Sequence, residues 1–247
     1  VTSPFVVDEE LTIPDGVTLE VPEGNTLQIT ENGKLINRGT IQVDTGANLE
    51  IEQGGSLTNQ STMVNNGALE NAGELKNESQ GTIKNAGDIS NTETGEITNE
   101  GKIDNKNGSL NGSDDSAGNI INNGSITGGT VSGPLENGTT GVISGSDKLQ
   151  GQIKNEGKIE VSSGQVSAGA DIENLPGSSF VNIEEIKNQN NKPGDSQADG
   201  DSSDEESSDN DTTEETVAVI KKPLVLPLQT SETEESSGQS AESNTFN

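Results

Sequence analysis

The chain is 247 residues long and carries 42 acidic against 13 basic side chains, a formal net charge of −29. It has no Cys, His, Trp or Tyr and only three Phe (Phe5, Phe180, Phe246). That excludes imidazole and thiolate chemistry, zinc fingers, haem ligation and a disulfide framework. With 26% apolar and 1% aromatic residues it cannot fill a compact core of ordinary shape.

A pI near 4.1 opposes binding to nucleic acid or to anionic membrane surfaces, because phosphate needs clustered Lys and Arg. No apolar run approaches the ~20 residues of a membrane span, so no membrane insertion is expected. The sequence opens at Val1 without Met or an apolar leader, which predicts a processed product or an excised region. The lack of Cys fits many secreted bacterial proteins without fixing the compartment.

Residues 1–10 read as an N-terminal capping segment, with Phe5 and Val7 over the mouth of the repeat region. From residue 11 to 186 a short unit recurs, Gly-x-(Leu/Ile)-x-Asn, as in Gly33 to Asn37 and Gly55 to Asn59. It runs on through Gly67 to Asn71, Gly73 to Asn77, Gly81 to Asn85, Gly87 to Asn91, Gly95 to Asn99 and Gly101 to Asn105, and returns at Gly151 to Asn155. The apolar centres lie six or eight residues apart, which is not a helix stripe, and a Gly in nearly every unit opposes helix.

Each unit makes sense as a very short strand followed by a corner. Positions i and i+2 of an extended segment share a face, so each Leu or Ile and the following Asn point the same way. Gly and Asn tolerate the left-handed backbone that a sharp corner demands. Short strands and corners repeated over such a length predict an all-β fold, a parallel β-helix or β-solenoid. Three strands per coil give about 18–24 residues per turn. Leu35, Ile41, Leu49 and Leu57 make one turn; Leu57, Met63, Leu69 and Leu75 make the next. Between Leu69 and Ile103 the alternating steps also suit a flattened two-sided coil, but the earlier units do not keep that period. The inward Asn residues are costly unless paired, at ~1–3 kcal/mol each. A structural ladder of stacked side-chain amides is therefore expected from Asn37, Asn59, Asn71, Asn77, Asn85, Asn91, Asn99 and Asn105. Residues 107–150 are the most Gly- and Ser-rich, and loops or frayed coils are expected there.

The stretch Leu11 to Leu27, followed by Gly-x-Leu-x-Asn-x-Gly units, resembles the parallel β-helix regions of large secreted bacterial surface proteins and adhesins. The resemblance spans residues 11–186. It implies a right-handed coil and an extracellular or cell-surface location, and it says little about function, since such regions serve as stalks, adhesins or enzymes.

Beyond residue 186 the composition changes. Residues 187–216 form an acidic linker that buries too little to fold, and Asp195 to Glu215 contains no basic residue. Within it Asp195, Asp199, Asp201 and Glu206 stand at calcium-loop spacing, but without flanking helices; weak cation condensation is the plainer reading. Residues 217–228 are an apolar island in which Val217, Val219, Ile220, Leu224, Val225 and Leu226 would dock by strand addition, on the coil's own edge, on a protein partner or on a parent assembly. Residues 229–247 read as a disordered tail.

No residues suggest a catalytic or cofactor site. The expectation is a non-enzymatic extracellular structural or adhesive rod, a stalk or scaffold in a cell-surface or filament assembly. The alternative is a β-helix that binds or cleaves carbohydrate, for which a surface glycan would be the partner. Cleavage would need paired carboxylates and aromatic platforms, and the chain has no Trp or Tyr. Ice binding would need a flat Thr array. Thr40, Thr58, Thr82 and Thr98 face outward, without a regular Thr-x-Thr column.

Overall fold

The computed structural model describes residues 4–92, 94–113, 119–182 and 220–221. The described chain is all-β apart from one short 3-10 turn at Ser163–Gln165. Its strands are three or four residues long up to Asn182, and they take turns among three parallel sheets, an 8-stranded, a 10-stranded and a 9-stranded one. We call these sheets A, B and C. The first coil places Phe5–Val7 in sheet A, Glu10–Ile13 in sheet B and Thr18–Val21 in sheet C. The coils repeat that order up to Lys158–Val161; in the last one the sheet A strand gives way to the 3-10 turn and a single bridge from Leu149 to Val166, and the whole makes a three-sided β-solenoid of about eight turns. With rungs ~4.8 Å apart, the described rod is ~40 Å long.

Register stacks the repeat centres into columns. In sheet B Leu35, Leu57, Leu75 and Ile97 lie in line. In sheet C Ile41, Met63, Ile83 and Ile103 do so, and in sheet A Leu27, Leu49, Leu69 and Ile89. All are fully buried. Each contributes roughly 1.5–3 kcal/mol by leaving water. Because Leu69 pairs with Ile89 and Leu75 with Ile97, the two-sided period suggested by the six-and-eight spacing does not describe the coil.

The N-terminal coils have a wider apolar interior than the middle ones. There both inward positions of a strand are aliphatic, as in Leu27 with Ile29, Ile41 with Val43 and Leu49 with Ile51. Further along, the second position becomes Asn. At the N-terminal end Phe5–Val7 pairs with Thr26–Ile29 and Glu10–Ile13 with Lys34–Asn37, so residues 5–7 form a rung of sheet A. At that end Phe5 is 53% exposed while Val7 is buried. At the other end Phe180 lies partly buried over Ile159 in the sheet C column.

Two expectations need correction. Coil length falls below the expected range between Ile120 and Leu135, which are register partners, and the amides of Asn122 and Asn137 meet at a sequence separation of 15. Consecutive left-handed glycines, Gly128 (φ 79) and Gly129 (φ 62), make the corner tight, and the strands on either side shrink to three residues. The second correction concerns the repeat glycines. Left-handed backbone occurs at Asn107 and at glycines such as Gly16, Gly24, Gly46 and Gly54, but not at Gly33, Gly55, Gly67, Gly73, Gly87 or Gly101. At Gly73 a Cβ would land on the carbonyls of Gly55 and Glu52 in the rung before, and at Gly101 on those of Glu78 and Gly81. The unit keeps Gly there because successive coils approach too closely for a side chain.

Candidate functional site

The interior corners hold the most organised polar feature of the molecule. Along sheet B, Asn37 Nδ2 donates to Asn59 Oδ1 at 2.7 Å and Asn59 to Asn77 at 2.7 Å. The chain continues to Asn99 (2.8 Å), Asn122 (2.7 Å), Asn137 (2.7 Å), Asn155 (2.8 Å) and Asn174 (2.8 Å). Shorter columns run Asn65 to Asn85 to Asn105 at the sheet C corner and Asn71 to Asn91 at the sheet A corner. The eight asparagines anticipated from the repeat are thus divided over three columns, all of them buried.

Each amide that donates to the next rung or to a carbonyl is oriented by its N–H groups. Asn77 Nδ2 also donates to the carbonyls of Gly81 and Lys102, and Asn85 Nδ2 to those of Gly87 and Ser109. A side-chain oxygen aimed at those carbonyls would repel, so the N–H must face them and the Oδ1 must face the preceding rung. All three columns therefore run in one direction. Their first members leave an oxygen unpartnered, at Asn37, Asn65 and Asn71, and the long column ends on an unpartnered Asn174 Nδ2. Each ladder begins where an aliphatic residue sits one rung earlier: Ile13 before Asn37, Val43 before Asn65 and Ile51 before Asn71.

The repeat pattern passed over Asn65, Asn122, Asn137 and Asn174. The signal was present for Gly118-x-Ile120-x-Asn122 and Gly133-x-Leu135-x-Asn137, which carry the complete unit. At Asn65 the centre is Met63, and at Asn174 the Gly is missing from its place. Searching for an apolar residue two positions before Asn, with Gly optional, finds all four.

The outer faces are polar and mostly acidic. Like charges stack in register, Glu50 beside Glu70 and Glu74 beside Glu96. Cross-rung ion pairs relieve part of this, Lys34 to Glu10 at 3.2 Å and Lys76 to Glu100 at 3.3 Å, but exposed pairs of this kind contribute little. Near the C-terminal end Lys154 Nζ lies 2.6 Å from Glu136 Oε1 and 3.1 Å from Glu156 Oε1. Hydrogen bonds to Glu136 first and Glu156 second push its pKa up to about 12. Glu136, Lys154 and Glu173 are register neighbours, so sheet B carries alternating charges there.

An open polar cleft of about 540 Å³ adjoins this region, with Ser132, Lys148, Gln150, Gln152 and Ser167 in its lining. Thr18, Thr40, Thr62 and Thr82 stack in register on the outside of sheet C, whereas Lys76 separates Thr58 from Thr98 on sheet B. A single Thr column is no flat array. Among the described residues no cluster of three or more Asp or Glu is disposed to hold a metal ion, and no helix is long and apolar enough to cross a membrane. Asp195, Asp199, Asp201 and Glu206 lie outside the described residues, as do Val217, Val219, Leu224, Val225 and Leu226. Ile220 lies within them: Ile220–Lys221 pairs in parallel with the strand Asp171–Asn174 at the end of sheet B.

The fold and its interior define a class, the three-sided parallel β-solenoids with asparagine-laddered corners. No protein-family model matches the chain, and no curated protein matches it. Among solved structures it shows a likeness to the crystal structure of a TibC-catalysed hyper-glycosylated TibA fragment. The identity is 14% and the TM-score 0.20, over 73% of this chain and 91% of that one. At that TM-score the likeness carries no weight.

Proposed function

We propose that this chain is a non-enzymatic structural or adhesive module of the cell surface, a rigid acidic rod that serves as stalk or scaffold. The observation that carries the reading is the unbroken ladder from Asn37 to Asn174, which ties each rung of sheet B between them to the next through the interior. Coils linked by side-chain amides, backbone bonds and apolar columns resist bending and local opening together. The acidic exterior keeps such a rod soluble and apart from its neighbours. The absence of imidazole, thiol, indole and phenol from the whole sequence supports the non-enzymatic part. Segment 217–228 is the proposed route to a protein partner.

Immunogold labelling of intact cells of the source organism, with antibody raised against residues 4–182, tests the location. Label on unpermeabilised cells supports the proposal, and label seen only after permeabilisation refutes it. Carbohydrate binding is a second reading, favoured by the hydroxyl and amide groups around the cleft at Gln150 and Gln152. Retention of the protein on immobilised polysaccharide, abolished by Gln150→Ala with Gln152→Ala, would support that reading; equal retention of the double variant would remove the cleft from it.

A further inference from the structure

Asn-Gly is the dipeptide at which a chain can modify itself, because a following residue without Cβ leaves its backbone nitrogen open to reach the Asn side-chain amide. The sequence holds six such pairs, beginning at Asn32, Asn66, Asn107, Asn111, Asn123 and Asn137. In five of them a backbone carbonyl holds the glycine N–H. Gly33 donates to Thr30 at 2.8 Å, Gly108 to Asn105 at 2.9 Å, Gly112 to Ser132 at 2.8 Å, Gly124 to Asn99 at 2.9 Å and Gly138 to Asn122 at 2.9 Å. Asn137 is held twice over, since it is buried and its amide is locked between Asn122 and Asn155.

Asn66 stands apart. It lies at the two-residue corner between the strands Thr62–Asn65 and Ala68–Asn71. That corner crosses over the longer one at residues 44–47, and Asn66 N donates to the carbonyl of Val43 at 2.8 Å. Gly67 N–H meets no acceptor among the described residues, whereas Gly87, one rung on, donates to Asn65 at 3.1 Å. The Asn66 side chain is exposed and makes no hydrogen bond among the described residues. Here both the attacking nitrogen and the amide it would attack are unheld.

We propose that the pair Asn66 and Gly67 is a self-modification site, at which the folded protein converts asparagine to aspartate and isoaspartate with water as the only co-reactant. Gly67 N gives its proton to solvent and attacks Asn66 Cγ. The new C–N bond closes a five-membered imide, the Cγ–Nδ2 bond breaks, and the amide nitrogen leaves as ammonia. Water then opens the ring at either carbonyl. Each event adds a negative charge to the corner. The isoaspartate product also lengthens the main chain by a carbon, where Gly67 already lies too close to the Ala47 and Asp44 carbonyls to carry a Cβ. The strain falls beside Asn65, the first member of the sheet C ladder. The proposal goes beyond the surface role, since it gives the rod a charge that grows with its age.

Peptide mapping by mass spectrometry tests it, on full-length protein aged in heavy-oxygen water at mildly alkaline pH. In the folded protein Asn66 should take up the label about fivefold faster than Asn32, Asn107 or Asn123, the factor by which a typical backbone hydrogen bond holds a nitrogen back. Asn137 should take up least. In denaturant the lead of Asn66 should vanish, because every pair then has a free nitrogen and a mobile amide. Folded protein in which Asn32, Asn107 or Asn123 converts as fast as Asn66 would overturn the assignment. So would equal label at Asn66 and Asn137, the mark of reaction through the unfolded chain. An undiminished lead in denaturant would overturn it too, since the selection would then lie in the neighbouring sequence and not in the fold.

Discussion

Breaking the long ladder in its middle should cost far more than shortening it from its start. Asn99 accepts from Asn77 at 2.8 Å and donates to Asn122 at 2.7 Å. Asn99→Val leaves Asn122 Oδ1 buried without a donor, at about 1–3 kcal/mol. Asn77 loses less, about 0.5–1 kcal/mol, because its Nδ2 still reaches the carbonyls of Gly81 at 3.3 Å and Lys102 at 3.2 Å. The valine recovers a part by apolar burial, which leaves a net loss of about 2 kcal/mol. Asn37→Val differs in one respect. It deletes an oxygen that already lacks a donor and creates the same defect one rung later at Asn59, while the new side chain follows Ile13 in the column. Those two effects cancel to within about 1 kcal/mol. Urea unfolding followed by circular dichroism, with hydrogen exchange to locate the loss, should show Asn99→Val opening roughly 30-fold more readily than Asn37→Val. Equal losses in the two variants would show that the amides act as independent corner contacts, and the ladder argument would fall.

Gly73→Ala should destabilise by about 1–3 kcal/mol through its clash with the rung before, with the loss seen in the thermal midpoint. Gly16→Ala, at φ 77 with open space around it, should cost only the left-handed strain of about 1 kcal/mol. Leu75→Ala removes a fully buried member of the sheet B column and should cost about 2–5 kcal/mol in urea unfolding. Lys154 has a pKa raised from 10.5 to about 12, so its contribution is fully present below pH 10.5 and is lost as pH rises through 12. Unfolding midpoints of the natural protein and Lys154→Met should therefore differ below pH 10 and converge near pH 12.5; a constant gap across that range would contradict the sign.

Much of this fold is legible in the spacing of particular residues. Leu35, Ile41, Leu49 and Leu57 point to three sides, whereas the six-and-eight steps from Leu69 to Ile103 suit two sides as well, and only the register of Leu69 with Ile89 and Leu75 with Ile97 decides between them. The column to which each Asn belongs is not legible, because register depends on the lengths of intervening coils, and those vary between Leu11 and Ile172. Asn71 and Asn77 look equivalent as text, yet they stand at different corners. The repeat glycines were legible as necessary but for another reason: the approach of the Gly55 carbonyl to Gly73 is a contact between coils, which no local pattern encodes.

The asparagine columns also give the rod an electrical direction. Peptide dipoles between parallel strands largely cancel, but these primary amides all lie the same way, oxygen toward the first coil and nitrogen toward the last. Their moments sum along the axis, as they do in a helix, and leave the Asn37 end negative and the Asn174 end positive. The acidic exterior still repels a neighbouring rod, but a neighbour lying head to tail is repelled less than one lying the same way, so any close pair would be sorted head against tail.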